Sequence, residues 1–210
     1  MSDLSQTRRR IIVGMTGASG AAIGIRALEI LKDHSDIETH LIVTRSGRST
    51  INEETDLSVQ DVKDLADVVH SDNDLGSSLA SGSFLTAGML IAPCSIKTLS
   101  GVANSYDETL LVRAADVVLK ERRRLVMLLR ETPLHLGHLR LMTQVTESGA
   151  IVMPPVPAFY TRAETVAQIV DHTTRRALDL MGIVDDETPR WHGRGSFRDR
   201  PDTGRGPAAG

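Results

Sequence analysis

Arg130 and Glu131 stand side by side at the end of an apolar run, residues 125–129, with Pro133 two positions on. In an open α/β sheet, ligands gather beyond the carboxyl ends of the strands. A guanidinium there holds an anion, and a carboxylate beside it moves a proton. Ten residues upstream, Lys120 closes a basic-ended helical pattern that begins near Arg113. Such a charge run also suits the negative end of a helix dipole, so Lys120–Arg124 reads equally as a solvated helix end.

Two hydroxyl-bearing turns supply matching parts. The first is Gly14-Met15-Thr16-Gly17-Ala18-Ser19-Gly20, between an apolar run and a helical pattern. Glycines let backbone approach a ligand, and the helix that follows offers free N–H groups and a positive dipole end. Ser19 points its hydroxyl toward that crevice or caps the helix. The second turn, Pro93-Cys94-Ser95-Ile96-Lys97-Thr98, places hydroxyls and a lysine at another strand-to-helix junction. Cys94 reads as a small buried residue, because a reactive thiol needs exposure and a nearby base. A dinucleotide site would carry Asp or Glu at the end of the second strand to hold a ribose. This chain has Thr44-Arg45-Ser46 there, a hydroxyl and a cation that suit phosphate. The pattern favours a mononucleotide such as FMN over NAD. Glu131, His135 and His138 do not make a metal set, since Pro133 interrupts their helical spacing.

The elements that position these residues follow from hydrophobic periodicity. Strands are expected over residues 11–15, 38–44, 87–92, 125–129 and 150–153. Helices are expected over residues 21–32, 46–54, 61–67, 96–103, 109–122, 136–148 and 165–181, with a Gly/Ser/Asp-rich loop over 72–84. Alternation of strand and helix predicts an α/β, Rossmann-like or flavodoxin-like three-layer fold with a mainly parallel sheet. At 210 residues the chain is expected to form one catalytic domain over 1–184. The tail over 185–210 reads as largely flexible except around Trp191.

Composition bounds the rest. A hydrophobic content of 40% without a long apolar run argues against a membrane span, and the polar, basic start lacks a signal peptide's apolar core. One cysteine fits a reducing, cytoplasmic setting. A net charge of -3 and only three Phe, two Tyr and one Trp give no reason to expect nucleic acid.

Seven motifs in order carry a resemblance: Gly14 to Gly20, Glu54-Thr55, Ala80-Ser81-Gly82-Ser83, Pro93 to Thr98, Arg113 to Arg123, Arg130-Glu131-Thr132-Pro133 and Pro157-Ala158-Phe159-Tyr160. Together they resemble the UbiX-type flavin prenyltransferases over residues 10–184, and Pro189-Arg190-Trp191 looks like that family's C-terminal tryptophan. The run from Glu131 to His138 is most similar to the branch paired with hydroxyarylic acid decarboxylases. The resemblance implies a dodecamer with active sites at subunit junctions. It also implies transfer of a dimethylallyl group to N5 and then C6 of reduced FMN, and a UbiD-type decarboxylase as recipient of the prenylated flavin.

Carried over by position, Gly17, Ala18, Ser19, Thr44, Ser95, Ile96, Lys97, Thr98 and Arg130 would bind FMN. Lys120, Arg130, Tyr160 and Arg176 would surround dimethylallyl phosphate, and Trp191 would help close the site. Ser19, Glu54, Lys120 and Glu131 are the expected catalytic groups. The chemistry agrees with the set. Cations collect the charge of a leaving phosphate, so no metal is needed, and Glu131, with Ser19 or the departing phosphate, can take the C6 proton. Glu108-Thr109 departs from the Asp-Asn that many relatives carry, and Arg113 has no assigned role. The competing readings are an FMN-carrying accessory subunit of an aromatic acid decarboxylase and a flavin-dependent cysteine decarboxylase. The second would need an early catalytic histidine and an Asn-rich substrate motif, and neither is evident.

Overall fold

In the computed structural model, which describes residues 8–183 and 190, six strands form one parallel sheet. They are β1 (Arg9–Met15), β2 (Ile37–Val43), β3 (Val68–His70), β4 (Gly88–Cys94), β5 (Arg124–Leu129) and β6 (Ile151–Val152), in the order β3-β2-β1-β4-β5-β6. The helices are α1 (Ala21–Lys32), α2 (Arg45–Glu54), α3 (Val59–Lys63), α4 (Ile96–Ala103), α5 (Leu110–Lys120), α6 (Leu136–Glu147) and α7 (Val166–Leu180). The expected Rossmann-like architecture is therefore present. Trp191 and the tail lie outside the described residues.

Strand alternation sorts the core into two layers. Ile11, Val13 and Met15 of β1, Leu90 and Ala92 of β4, and Val126 and Leu128 of β5 pack under α1, α2, α3 and α7. The intervening Ile12, Met89, Ile91, Leu125, Met127 and Leu129 pack under α4, α5 and α6. Buried on both faces, these strands are apolar at nearly every position, as parallel strands must be. The chain moves outward through β2 and β3, then returns to β4 and moves the other way. Right-handed crossovers on the two halves therefore place their helices on opposite faces. Gly24 shows how tightly the layers meet: a Cβ there would lie 2.2 Å from the Ala92 carbonyl oxygen, so a side chain would push α1 off β4.

Two expectations need correction. The helix expected over 61–67 ends at Lys63, and residues 68–70 form the edge strand β3. Three residues are too few to display a period, and Val69 is exposed on this edge. Side chains hold β3 in place: His40 Nδ1 lies 2.9 Å from His70 Nε2, His40 Nε2 lies 2.8 Å from Glu38 Oε1, and Ser77 Oγ lies 2.8 Å from His70 Nδ1. The third strand also continues past Ala92 through Pro93 to Cys94. Proline lacks only a donor, and the Pro93 carbonyl accepts from the Thr16 N–H at 3.2 Å.

Candidate functional site

The strand order reverses between β1 and β4, the place where α/β sheets open a ligand crevice. Their last register pair is Gly14 with Ile91, and one further backbone bond, from the Thr16 N–H to the Pro93 carbonyl, precedes their divergence. A cleft of about 1010 Å³ lies there, with Gly17, Thr44, Ser95, Lys97 and Thr98 in its wall. Gly17 is required by close approach, since a Cβ would sit 2.3 Å from that of Ser46 at the start of α2. The exposed Glu108 and half-buried Thr109 also line this cleft, so the departure noted in the sequence faces the cleft.

The start of α1 differs from expectation. Its N-cap is Gly20, with no side-chain cap, so Ser19 does not cap the helix. Glu54, from the last turn of α2, takes that place: one carboxylate oxygen accepts from the N–H of Gly20 at 2.8 Å and of Ala21 at 2.9 Å. Burial alone would raise the Glu54 carboxyl. The Ser19 hydroxyl, the Ala21 and Gly20 amides and the charge of Arg130 outweigh it and hold the group below the usual carboxylate value. Ser19 and Arg130 therefore both favour the ionised form of Glu54. Since Glu54 fills these donors, the N-terminus of α1 is not a free anion site.

Two other helix starts remain. At α2, Thr44 Oγ1 accepts from Gly47 N–H at 3.0 Å. At α4, Ser95 Oγ accepts from Thr98 N–H at 3.3 Å and donates to Thr98 Oγ1 at 3.1 Å. The Ile96 and Lys97 amides lie in the first turn, where no intrahelical carbonyl reaches them. With the Lys97 ammonium and the Thr98 hydroxyl they make a donor set suited to a phosphate monoester. Cys94 beneath them is wholly buried, and burial pushes its thiol up, so it stays protonated.

At the end of β5, Arg130 N–H donates to the Cys94 carbonyl at 3.0 Å, holding Arg130 beside the α4 turn. Glu131 follows, and its Oε1 accepts from the Thr132 N–H at 3.1 Å. Lys120 is elsewhere. It precedes β5 whereas Arg130 follows it, and a six-residue strand of roughly 20 Å separates the two edges. Lys120 pairs there with Glu121. Tyr160 lies in the turn Phe159–Thr161, edge-on to His172 of α7 at 6.0 Å between ring centroids. Arg176 is exposed on α7, 3.5 Å from Asp179. One chain thus gathers Gly17, Ala18, Ser19, Thr44, Ser95 to Thr98, Glu54, Arg130 and Glu131 at one edge, and does not bring Lys120 to them.

Arg113, unassigned from sequence, is a tie. It donates to Asp107 at 2.9 Å, to Asp116 at 3.2 Å and to the Ala80 carbonyl at 3.3 Å, joining α5 to the loop over 72–84. Asp72 in that loop caps α5, accepting from Leu111 N–H at 3.0 Å. The Arg113–Ala80 and Asp72–Leu111 bonds have no local sequence signal, because each spans more than thirty residues. Among the described residues there is no group of three or more His, Cys, Asp or Glu placed to hold a metal, and no helix is long and apolar enough to cross a membrane.

Known proteins share this geometry. The Flavoprotein family model matches residues 2–178. The flavin prenyltransferase UbiX of Escherichia coli K12 is 56% identical over 187 residues, covering 88% of this chain and 99% of its own. The crystal structure of AnUbiX (PadA1) in complex with FMN and dimethylallyl pyrophosphate superposes with a TM-score of 0.86 at 46% identity, covering 89% of this chain and 98% of that one. A dodecameric FMN-dependent UbiX-like decarboxylase from E. coli O157:H7 also gives 0.86 at 45% identity, covering 88% and 100%. With more than half its residues identical over nearly the whole of a relative, and the same fold, the chain belongs to the UbiX flavin prenyltransferase family of flavoproteins.

Proposed function

We propose that this protein is a flavin prenyltransferase that joins the dimethylallyl group of dimethylallyl phosphate to N5 and C6 of reduced FMN. The observation that carries the reading is a helix start at the strand switch point furnished for a phosphate, with Arg130 held beside it by its bond to the Cys94 carbonyl. Residues 1–184 act as the catalytic unit, and the product serves a UbiD-type decarboxylase. The setting is cytoplasmic.

Ser95, Ile96, Lys97 and Thr98, with Thr44, hold the FMN phosphate. Gly17, Ala18 and Ser19 keep the wall thin where the flavin lies, and Arg130 reaches over it. Reduced FMN supplies the electron-rich N5 and C6. Arg130, Arg176 and Tyr160 collect the charge that develops as the allylic C–O bond breaks and phosphate leaves. Lys120 belongs to the same set only when another copy of the chain presents it, because its own β5 separates it from Arg130. A dodecamer with sites at subunit junctions meets that need. Glu131, with Ser19 or the departed phosphate, delivers a proton to the double bond of the N5-bound prenyl group as its far carbon joins C6, and takes the proton lost from C6. Glu54 fixes Ser19, and Trp191 closes over the site.

An apo UbiD-type decarboxylase tests the reading. Supplied anaerobically with the filtrate of a reaction containing this protein, reduced FMN and dimethylallyl phosphate, it should become active. Activation of equal size when this protein is omitted would refute the proposal.

A further inference from the structure

Thr16 follows β1 directly and is only 2% exposed. Its hydroxyl donates to the Pro93 carbonyl at 2.8 Å and accepts from the Ser95 N–H at 2.9 Å. Those bonds lie beyond the last register pair, Gly14 with Ile91, beside the backbone bond from the Thr16 N–H to the same Pro93 carbonyl. They also settle which donors remain at α4. The Ser95 amide points back to Thr16 and the Thr98 amide to Ser95 Oγ, so the Ile96 and Lys97 amides are left for an anion.

We infer that Thr16 is a positioning residue for flavin recognition: its hydroxyl sets the tilt of the first turn of α4, and so the aim of the donors that receive the FMN phosphate. The inference rests on the reading of that turn as the phosphate site. A side chain that only filled the core would need no hydroxyl, and valine has nearly the same shape. Without the hydroxyl, the Ser95 N–H and one bond of the Pro93 carbonyl lose their partner in a buried place. The Ser95 amide then turns toward the cleft, and the helix start loses its fixed direction. Serine keeps both bonds.

The test compares FMN with riboflavin, which lacks the phosphate, by quenching of flavin fluorescence on the full-length assembly. The wild type should prefer FMN. Thr16→Val should lose about tenfold of FMN affinity while riboflavin affinity stays within about twofold, and Thr16→Ser should restore the preference. A Thr16→Val protein that keeps the wild-type ratio of FMN to riboflavin affinity overturns the inference, whether both affinities fall together or neither does. So does Thr16→Ser losing the preference. Should Thr16→Val fail to fold, Thr16→Ala is read by the same ratio, and an unchanged ratio has the same meaning. A wild type that binds FMN no better than riboflavin removes the phosphate site itself, a result distinct from the other two.

Discussion

Glu54 accepts a hydrogen bond from the Gly20 amide at 2.8 Å, so a side chain from the end of α2 caps the start of α1. The Ser19 hydroxyl and the charge of Arg130 also help to hold the same carboxyl below its usual value. One residue thus joins helix capping to the placement of two candidate site groups. The pairing separates two roles that substitution can distinguish. Glu54→Ala leaves two helix-end amides without their acceptor and should cost about 1 kcal/mol, the usual value of a lost cap. For a chain of this size that lowers Tm by roughly 2–4 °C. Glu54→Gln retains an acceptor oxygen and should melt closer to the wild type. Both should turn over slowly, because the charge beside Ser19 and Arg130 is gone. Scanning calorimetry and product formation read the two effects apart; full turnover in Glu54→Gln would confine Glu54 to a capping role.

Acid should weaken the fold in two stages. His70 is held below the usual 6.5 by burial and by His40, against the pull of Asp74. Its stabilising contribution is complete above 6.5 and is lost as pH falls from there toward its folded value. The Glu54, Glu38, Asp67 and Asp171 carboxyls all sit below their usual 4.5 or 3.8. Their contributions are present above those values and fade as pH drops through the lowered ones. Urea unfolding at stepped pH should show a shallow decline beginning near 6.5 and a steeper one below 4.5. His70→Gln should flatten the first stage alone. A first stage unchanged in His70→Gln would show that another group titrates there.

Among the described residues Glu131 holds no long-range bond, only that from the adjacent Thr132 amide. Glu131→Gln should therefore leave Tm and FMN affinity near wild type while slowing turnover by about a hundredfold, the lower end of a general base's contribution. Equal rates for the two proteins would remove Glu131 from proton transfer.

Lys120 gives the sharpest test of shared sites. It stands at the edge of the sheet opposite Arg130, paired with Glu121. Lys120→Ala should leave FMN binding intact and abolish most turnover. Assemblies reconstituted from a mixture of Lys120→Ala and Glu131→Gln chains should regain activity above either variant, since some junctions then hold an intact Lys120 and an intact Glu131. Mixed assemblies no more active than the separate variants would mean that the two residues do not serve one site across copies.

Much of this organisation was readable in the sequence. The apolar runs that became β1, β4 and β5 are nearly continuous because both faces of a parallel strand are buried. The glycine turn and the Ser95–Thr98 turn announced the crevice through residue types that helix starts demand. What escaped reading was long-range. β3 has three residues and no period, and its anchorage comes from His40 and Ser77. Thr16 looked like part of a glycine turn, yet its hydroxyl works against Pro93 and Ser95, far along the chain. Nearness in sequence also misled. Lys120 and Arg130 lie ten residues apart, but a strand runs between them and sends them to opposite edges.

The central claim is transfer of a prenyl group to the flavin itself, and the mass of the flavin tests it most directly. Purified protein is incubated anaerobically with reduced FMN and dimethylallyl monophosphate, or in a parallel arm with the diphosphate, and the flavin is released and weighed by mass spectrometry. A gain of one dimethylallyl unit in at least one arm is the predicted result. Flavin of unchanged mass in both arms, from protein that demonstrably binds FMN, would contradict it.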